Sequence, residues 1–240
     1  GVGCVITLGG DGTNRAVAKG SSAIPIVAVS TGTNNVFPTM IEGTLAGLAA
    51  GLVAGGRLDL AEVSVSSKIM NVYVDGELRD IALIDVALSK ERFVASKAIW
   101  DMETLFEVFL TRAEPASIGL SSIGARLEAV SLADEGGLRY SISNPEEPEE
   151  STSRTVLAPI APGVVPQVAI SSWQRMADGQ RFPIEKRDCT VALDGERAFS
   201  VNRTQQLEME VRRDGPPIID VELALKVAAA EGLFDLTQGN

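Results

Sequence analysis

Val5-Ile6-Thr7-Leu8-Gly9-Gly10-Asp11-Gly12-Thr13 is the stretch on which the fold turns. The apolar run Val5 to Leu8 reads as a buried strand, and the glycine-rich turn after it as the passage into a helix. Glycines leave backbone amides uncovered by side chains, and a helix start adds a potential that favours anions. A carboxylate held there beside a phosphate is favourable only where it meets a magnesium ion or takes a proton from an acceptor hydroxyl. The turn is therefore a place for phosphate chemistry. Asp-Gly recurs at Asp75, Asp178, Asp194 and Asp214, where a simple turn suffices; only Asp11 has two glycines before it and a strand-to-helix context.

Outward from this turn, Ile24 to Val29 reads as a second strand, apolar on both faces as a helix-covered parallel strand should be. The loop Ser30 to Asn35 leads past Pro38 to a capping box, Thr39 with Glu42, predicting a helix from about Met40. Gly43, Gly47, Gly51 and Gly55 recur every four residues, so they share one face and predict the close approach of another backbone. After Arg57 the pattern becomes β-rich. Strands are predicted at Leu58 to Val65, Ile69 to Val74 and Ile81 to Leu88, with a hairpin at Asp75-Gly76. Ala95 to Arg112 has helical spacing, ended by Pro115. Further strands are predicted at Arg126 to Leu132, Leu138 to Ile142, Thr155 to Leu157, Thr190 to Leu193 and Gln206 to Val211, with an exposed acidic loop at Asn144 to Glu150. Asp220 caps a last helix, Val221 to Glu231, whose apolar face needs the α/β part as its acceptor. The expected organisation is an α/β lobe (1–60 and 219–240) and a β-rich lobe (61–218) with a cleft between them, where ligands sit.

Composition narrows the chemistry. The chain of 240 residues contains no histidine, which removes Ser-His-Asp and Cys-His catalysis and histidine-based zinc sites. A net charge of −11 without any basic run argues against nucleic acid and against anionic membrane surfaces as partners. The two cysteines lack metal or redox spacing and fit a reducing cytoplasm. Gly43 to Gly56 is too short to span a bilayer, which needs about 20 apolar residues. The opening inside a strand suggests that an amino-terminal portion lies outside this sequence.

Gly9-Gly10-Asp11-Gly12-Thr13-Asn14-Arg15, Gly32-Thr33-Asn34-Asn35-Val36-Phe37-Pro38 and Ala192-Leu193-Asp194-Gly195-Glu196-Arg197 together resemble the superfamily of NAD kinases and lipid kinases, most closely its ATP-NAD kinase-like branch associated with acetoin catabolism. The resemblance covers nearly the whole chain. It implies an NAD kinase-like fold: a Rossmann-like α/β lobe, a β-sandwich-like second lobe and a carboxyl-terminal helix returning to the first. Asp11 takes the position of the family's catalytic aspartate. Gly9, Gly10, Gly12 and Thr13, with the loop Gly32, Thr33, Asn34 and Asn35, correspond to nucleotide-contacting positions. Asp194 and Glu196 resemble the Asp-Gly-Glu of lipid kinases, although the same local pattern at Asp75-Gly76-Glu77 reads as a hairpin, and local pattern alone leaves Asp194 open to that reading.

Two departures weaken the acceptor side. The acceptor-binding Asn-Glu or Asn-Asp pair of NAD kinases is matched only by Ile84-Asp85, and Gly-Ser-Thr-Ala-Tyr only by Gly119-Leu120-Ser121-Ser122-Ile123. Lost polar partners cost a site much of its discrimination. The implied activity is magnesium-dependent phosphoryl transfer from ATP or polyphosphate to a small-molecule hydroxyl, NAD first, in a homo-oligomer (dimer or tetramer). A lipid kinase and a catalytically silent nucleotide-binding regulator on the same scaffold are the alternatives.

Overall fold

The computed structural model describes residues 1–21, 23–90, 102, 104–143 and 154–235. In chain order it contains β1 (Val5–Gly9), α1 (Asp11–Gly20), β2 (Ile26–Ser30), α2 (Gly43–Ala54), α3 (Leu60–Val63), β3 (Ser64–Ser66), β4 (Ile69–Val74), β5 (Glu77–Ala82), β6 (Asp85–Ser89) and β7 (Leu105–Leu110). There follow α4 (Leu120–Leu127), β8 (Gly137–Ile142), β9 (Arg154–Leu157), β10 (Gln167–Met176), β11 (Arg181–Pro183), β12 (Cys189–Leu193), β13 (Arg197–Val201), β14 (Leu207–Arg212), β15 (Pro217–Ile219) and α5 (Val221–Ala230).

The α/β part is a sheet of order β1-β2-β15-β3, in which β1 and β2 run parallel with Val5 opposite Ile26. All of β2 is buried, as its unbroken apolar run requires. Ala46, Ala49 and Ala50 of α2 pack with Val221, Ala224 and Ala228 of α5, so the last helix docks on the α/β part as its sequence predicts. Asp220 caps it through the Leu223 amide. The β-rich part has two antiparallel sheets, β13-β12-β6-β7-β8-β10-β9 and β11-β14-β4-β5, sharing a core that includes Met70, Val72, Phe109, Val191 and Met209. Buried Lys68 donates to the carbonyls of Thr111, Ser131 and Gly136, pinning the segment that follows β7, and burial pushes its ammonium down to about 8.

Several local expectations are corrected. Leu105–Leu110 is a strand between β6 and β8, because five of its six residues are apolar and fill a sheet interior; the start of the predicted helix, from Ala95, lies outside the described residues. The loop Asn144 to Glu150 lies outside them as well. Arg126 and Leu127 end helix α4, where a strand to Leu132 was expected, and Leu58 to Val65 divides into α3 and β3. Helix α2 begins at Gly43 with Glu42 as its own cap, accepting from the Thr44 and Leu45 amides, rather than through a Thr39 box. Among the described residues its glycine face meets no close backbone: none of their atoms lies within 4 Å of a Cβ added at Gly43, Gly47 or Gly51. Alanines on the neighbouring face supply the packing instead. Among the described residues no helix is long and apolar enough to cross a membrane.

Candidate functional site

The expected strand Ile81 to Leu88 breaks at Leu83-Ile84, where the chain leaves β5 in one sheet and enters β6 in the other. A corner between sheets strips amides of ladder partners, and buried amides must find others. They find Asp194. Its carboxylate accepts from the amides of Leu83 at 2.9 Å, Ile84 at 2.8 Å and Asp85 at 3.1 Å. The backbone of Asp194 is left-handed, φ 47°, like that of Asp75 at φ 54°, so both Asp-Gly pairs are indeed tight turns. What distinguishes them is the destination of the side chain: Asp194 is buried in the corner, whereas Asp75 caps the exposed Gln206 amide.

Asp11 opens α1, with Gly10 as its cap residue. Its carboxylate accepts from the amides of Phe37 at 2.8 Å and Val36 at 3.1 Å, so it ties the glycine turn to the loop after β2. That loop is braced by Ser30, whose hydroxyl accepts from Asn35 Nδ2 and from the Gly32 amide. A Cβ on Gly10 would stand 2.8 Å from Asn35 Oδ1, and one on Gly12 would overlap the Glu196 carboxylate. The glycines thus admit Asn35 and Glu196 side chains against the turn, a packing role in addition to any amide display.

Asp11, Asn34, Asp85, Asp194 and Glu196 line one cavity of about 190 Å³, closed by Gly119 and Leu120 at the start of α4 and by Ile160. The structure therefore brings together residues from four separated stretches. Gly9, Gly10, Gly12 and Thr13 lie in or beside the turn, and Asn35 against it. Gly32 and Thr33 are not among the cavity's walls; Thr33 bonds Asn34 on the surface. Gly119-Leu120-Ser121-Ser122-Ile123 forms the first turn of α4, held by Ser122 and the Gly119 amide to the Pro159 carbonyl.

The cavity carries unbalanced negative charge. Burial raises the Asp11 carboxyl, opposed by the Phe37 and Val36 amides and by Arg112, and reinforced by Glu196. Burial first, then repulsion from Asp11, pushes Asp194 up to about 7 despite its three amide donors. Burial first, then repulsion from Asp194 and Asp11, raises Asp85 well above the ordinary value, and its Oδ1 is buried without a hydrogen-bond partner among the described residues. Behind these groups, Arg15 lies 3.7 Å from Asp194 and 3.4 Å from Asp80, which also pairs with Lys19 at 2.8 Å and Arg197 at 3.0 Å. A single buried carboxylate, Asp80, thus gathers Arg15, Lys19 and Arg197, and nothing in its local sequence pattern marks it as a hub.

Comparisons with known proteins bear on the family and the fold. Residues 68–214 match the family model of the acetoin catabolism protein X C-terminal domain, and residues 1–57 that of the ATP-NAD kinase N-terminal domain. The chain is 39% identical over 238 residues to the acetoin catabolism protein X of Cupriavidus necator, across 98% of this chain and 65% of that protein, so it spans about two thirds of the relative's length. It is similar to the crystal structure of yeast NADH kinase complexed with NADH, with a TM-score of 0.59 at 13% identity, covering 100% of this chain and 67% of that one. An NAD kinase from Archaeoglobus fulgidus in complex with ATP aligns with a TM-score of 0.46 at 12% identity, over 95% of this chain and 82% of that one. The yeast likeness shows the fold, which is NAD kinase-like, as the motifs imply.

Proposed function

The chain belongs to the acetoin catabolism protein X family, built on an NAD kinase-like fold, and from that premise we propose that it is a phosphotransferase, moving a phosphoryl group from ATP or polyphosphate to a hydroxyl of a small-molecule acceptor, NAD+ first among candidates. The observation that carries this reading is the convergence of Asp11, Asp85, Asp194 and Glu196 on one cavity at the meeting of the α/β and β-rich parts. NAD+ ranks first because the structural neighbour from yeast is an NADH kinase complexed with NADH.

Four carboxylates facing one small space repel one another and any phosphate, unless a cation joins them. Among the described residues no three acidic, cysteine or histidine side chains stand at metal-holding spacing. That donor set suits magnesium, which is held by one or two carboxylates plus substrate phosphates rather than by a protein cage. Asp11 is the residue that would hold it, and it would neutralise charge on the transferring group. The cavity, at about 190 Å³, lies below the range of about 300–1,000 Å³ for whole-ligand pockets and so accommodates only the reacting end of a nucleotide.

In the transfer, the bond from phosphorus to the leaving oxygen breaks, the bond to the acceptor oxygen forms, and the acceptor's proton passes to a carboxylate. Asp85 Oδ1 is suited to receive it, because it has no donor of its own and a raised proton affinity. Asp11, engaged by two amides, orients the acceptor. The amides at the start of α1 favour the transferring phosphate.

A purified-enzyme assay with ATP or polyphosphate, magnesium and NAD+, read as NADP+ formed, tests the proposal. Asp11→Asn is expected to lower turnover at least 100-fold while the protein stays folded; unchanged turnover removes Asp11 from the chemistry. A second reading, a nucleotide-binding regulator without turnover, is favoured by one feature: Glu196 lies against Gly12, where a donor phosphate would approach. Calorimetric binding of ATP with no product from NAD+, NADH or diacylglycerol would select it.

A further inference from the structure

Phe37 and Arg112 line a second, larger cavity, of about 680 Å³. Its walls come from the entry to α2 (Met40 and Leu45), the sheet edge (Val65 and Ile218) and α5 (Leu225), and most of its lining is apolar. Met40, Leu45 and Val65 are 77%, 44% and 46% exposed, an open apolar surface facing one concavity. Contiguous apolar surface of this kind marks a binding site more often than chance exposure.

One cation is set into this surface. Arg112 is only 8% exposed and lines the apolar cavity without lining the acidic one. One terminal nitrogen donates to the Val36 carbonyl at 3.0 Å, and its guanidinium carbon stands 5.7 Å from the centre of the Phe37 ring. Guanidinium has five N–H donors. Among the described residues Arg112 makes no ion pair, although Glu114, Asp11 and Asp194 act on it through space. A buried charge with unused donors at the edge of an apolar space calls for an anion.

We propose that this cavity binds a small amphiphilic monocarboxylate as a free acid, its carboxylate on the Arg112 guanidinium and its hydrocarbon tail against Met40, Leu45, Val65 and Leu225. The charge pattern selects a single negative charge. Glu42, Asp220 and Glu222 stand at the walls and disfavour a polyanion such as a nucleotide phosphate. Glu42 and Asp220 do not compete for Arg112, because their carboxylates are engaged by the first amides of α2 and α5. Occupancy would also neutralise the cation that acts through space on Asp11 and Asp194, which couples the ligand to the acidic cavity.

Octanoate is the probe, titrated into the protein by calorimetry and by thermal melting, with 1-octanol as the uncharged control. Octanoate is expected to bind at one site and raise the melting temperature, with 1-octanol at least tenfold weaker. Arg112→Gln and Leu45→Glu should each weaken octanoate at least tenfold; Leu45 is exposed, so the second variant decides if the first fails to fold. No binding at millimolar octanoate, or binding unchanged by Arg112→Gln, overturns the proposal. So does self-association that Leu45→Glu abolishes while octanoate has no effect, which would give the surface to a second copy. Cosedimentation with phosphatidylglycerol vesicles, without octanoate binding, would give it to a lipid surface and overturn it equally. None of these readouts depends on kinase activity.

Discussion

The acidic cavity and the apolar cavity that Arg112 lines are built by opposite means. The smaller is walled by carboxylates from strand ends and a sheet corner, the larger by apolar side chains from helix starts and a sheet edge. In the first, electrostatic stress is stored: Asp11, Asp85 and Asp194 are all driven above the ordinary carboxylate range. In the second, the stress is a single cation with too few partners. Chemistry constrains residue type at fixed spacing, whereas an apolar hollow needs only that packing stop short, so the first kind of site advertises itself and the second does not.

The comparison is broken most forcibly at Asp194. Replacing it by Ala leaves the amides of Leu83, Ile84 and Asp85 buried without an acceptor, each a cost of about 1–3 kcal/mol, partly offset by relief of its repulsion with Asp11 and Asp85. A net loss of about 3 kcal/mol is expected, read as a lower urea midpoint at unchanged slope. A loss below about 1 kcal/mol would mean that the corner does not depend on this carboxylate, and that Asp194 belongs to the chemistry alone.

This also explains what could be read from the sequence. Asp11 and the glycine turn were legible because strand, turn and helix are consecutive. The Asp194 turn was legible as a turn, but its partner was not, since the expected strand Ile81 to Leu88 had to be seen to break before its amides were free. Leu105–Leu110 shows the same limit from the other side: an apolar run carries no period that separates a buried helix from a central strand. Asp85 was reached only by resemblance, and its partnerless oxygen depends on neighbours more than a hundred residues away. The larger cavity left no trace, because Met40, Val65, Ile218 and Leu225 share no spacing.

A smaller and opposite effect is expected at Asp85. Asp194 has a folded-state value of about 7 against an ordinary 3.8, so between about pH 4 and pH 7 the folded protein holds a proton that the unfolded chain releases. Stability attributable to Asp194 is full below about pH 4, falls as pH rises, and levels off above about pH 7. Asp85→Asn removes the partnerless charge and its repulsion with Asp194. It should therefore weaken the decline of stability with rising pH, stabilise the protein at alkaline pH by about 1 kcal/mol, and leave the pH 4 value nearly unchanged, because a carboxyl raised by burial is protonated there. Thermal melts of both proteins across that range supply the test; destabilisation at pH 8 would show that Asp85 ionised is welcome where it stands.

The smallest change is expected at Gly12, where the acidic cavity meets the glycine turn. An added methyl overlaps the carboxylate end of Glu196, which is the mobile end of a flexible side chain with no hydrogen bond from its oxygens among the described residues. Glu196 can swing aside, so Gly12→Ala should cost less than about 1 kcal/mol, and Gly12 has no left-handed backbone to add strain. Glu196→Ala should return most of that loss in a double-mutant cycle, because the three atoms nearest the added methyl all belong to Glu196. A loss of several kcal/mol, or one that Glu196→Ala fails to relieve, would show that the turn cannot accept a side chain for reasons of its own, and that its glycines serve backbone exposure more than the seating of Glu196.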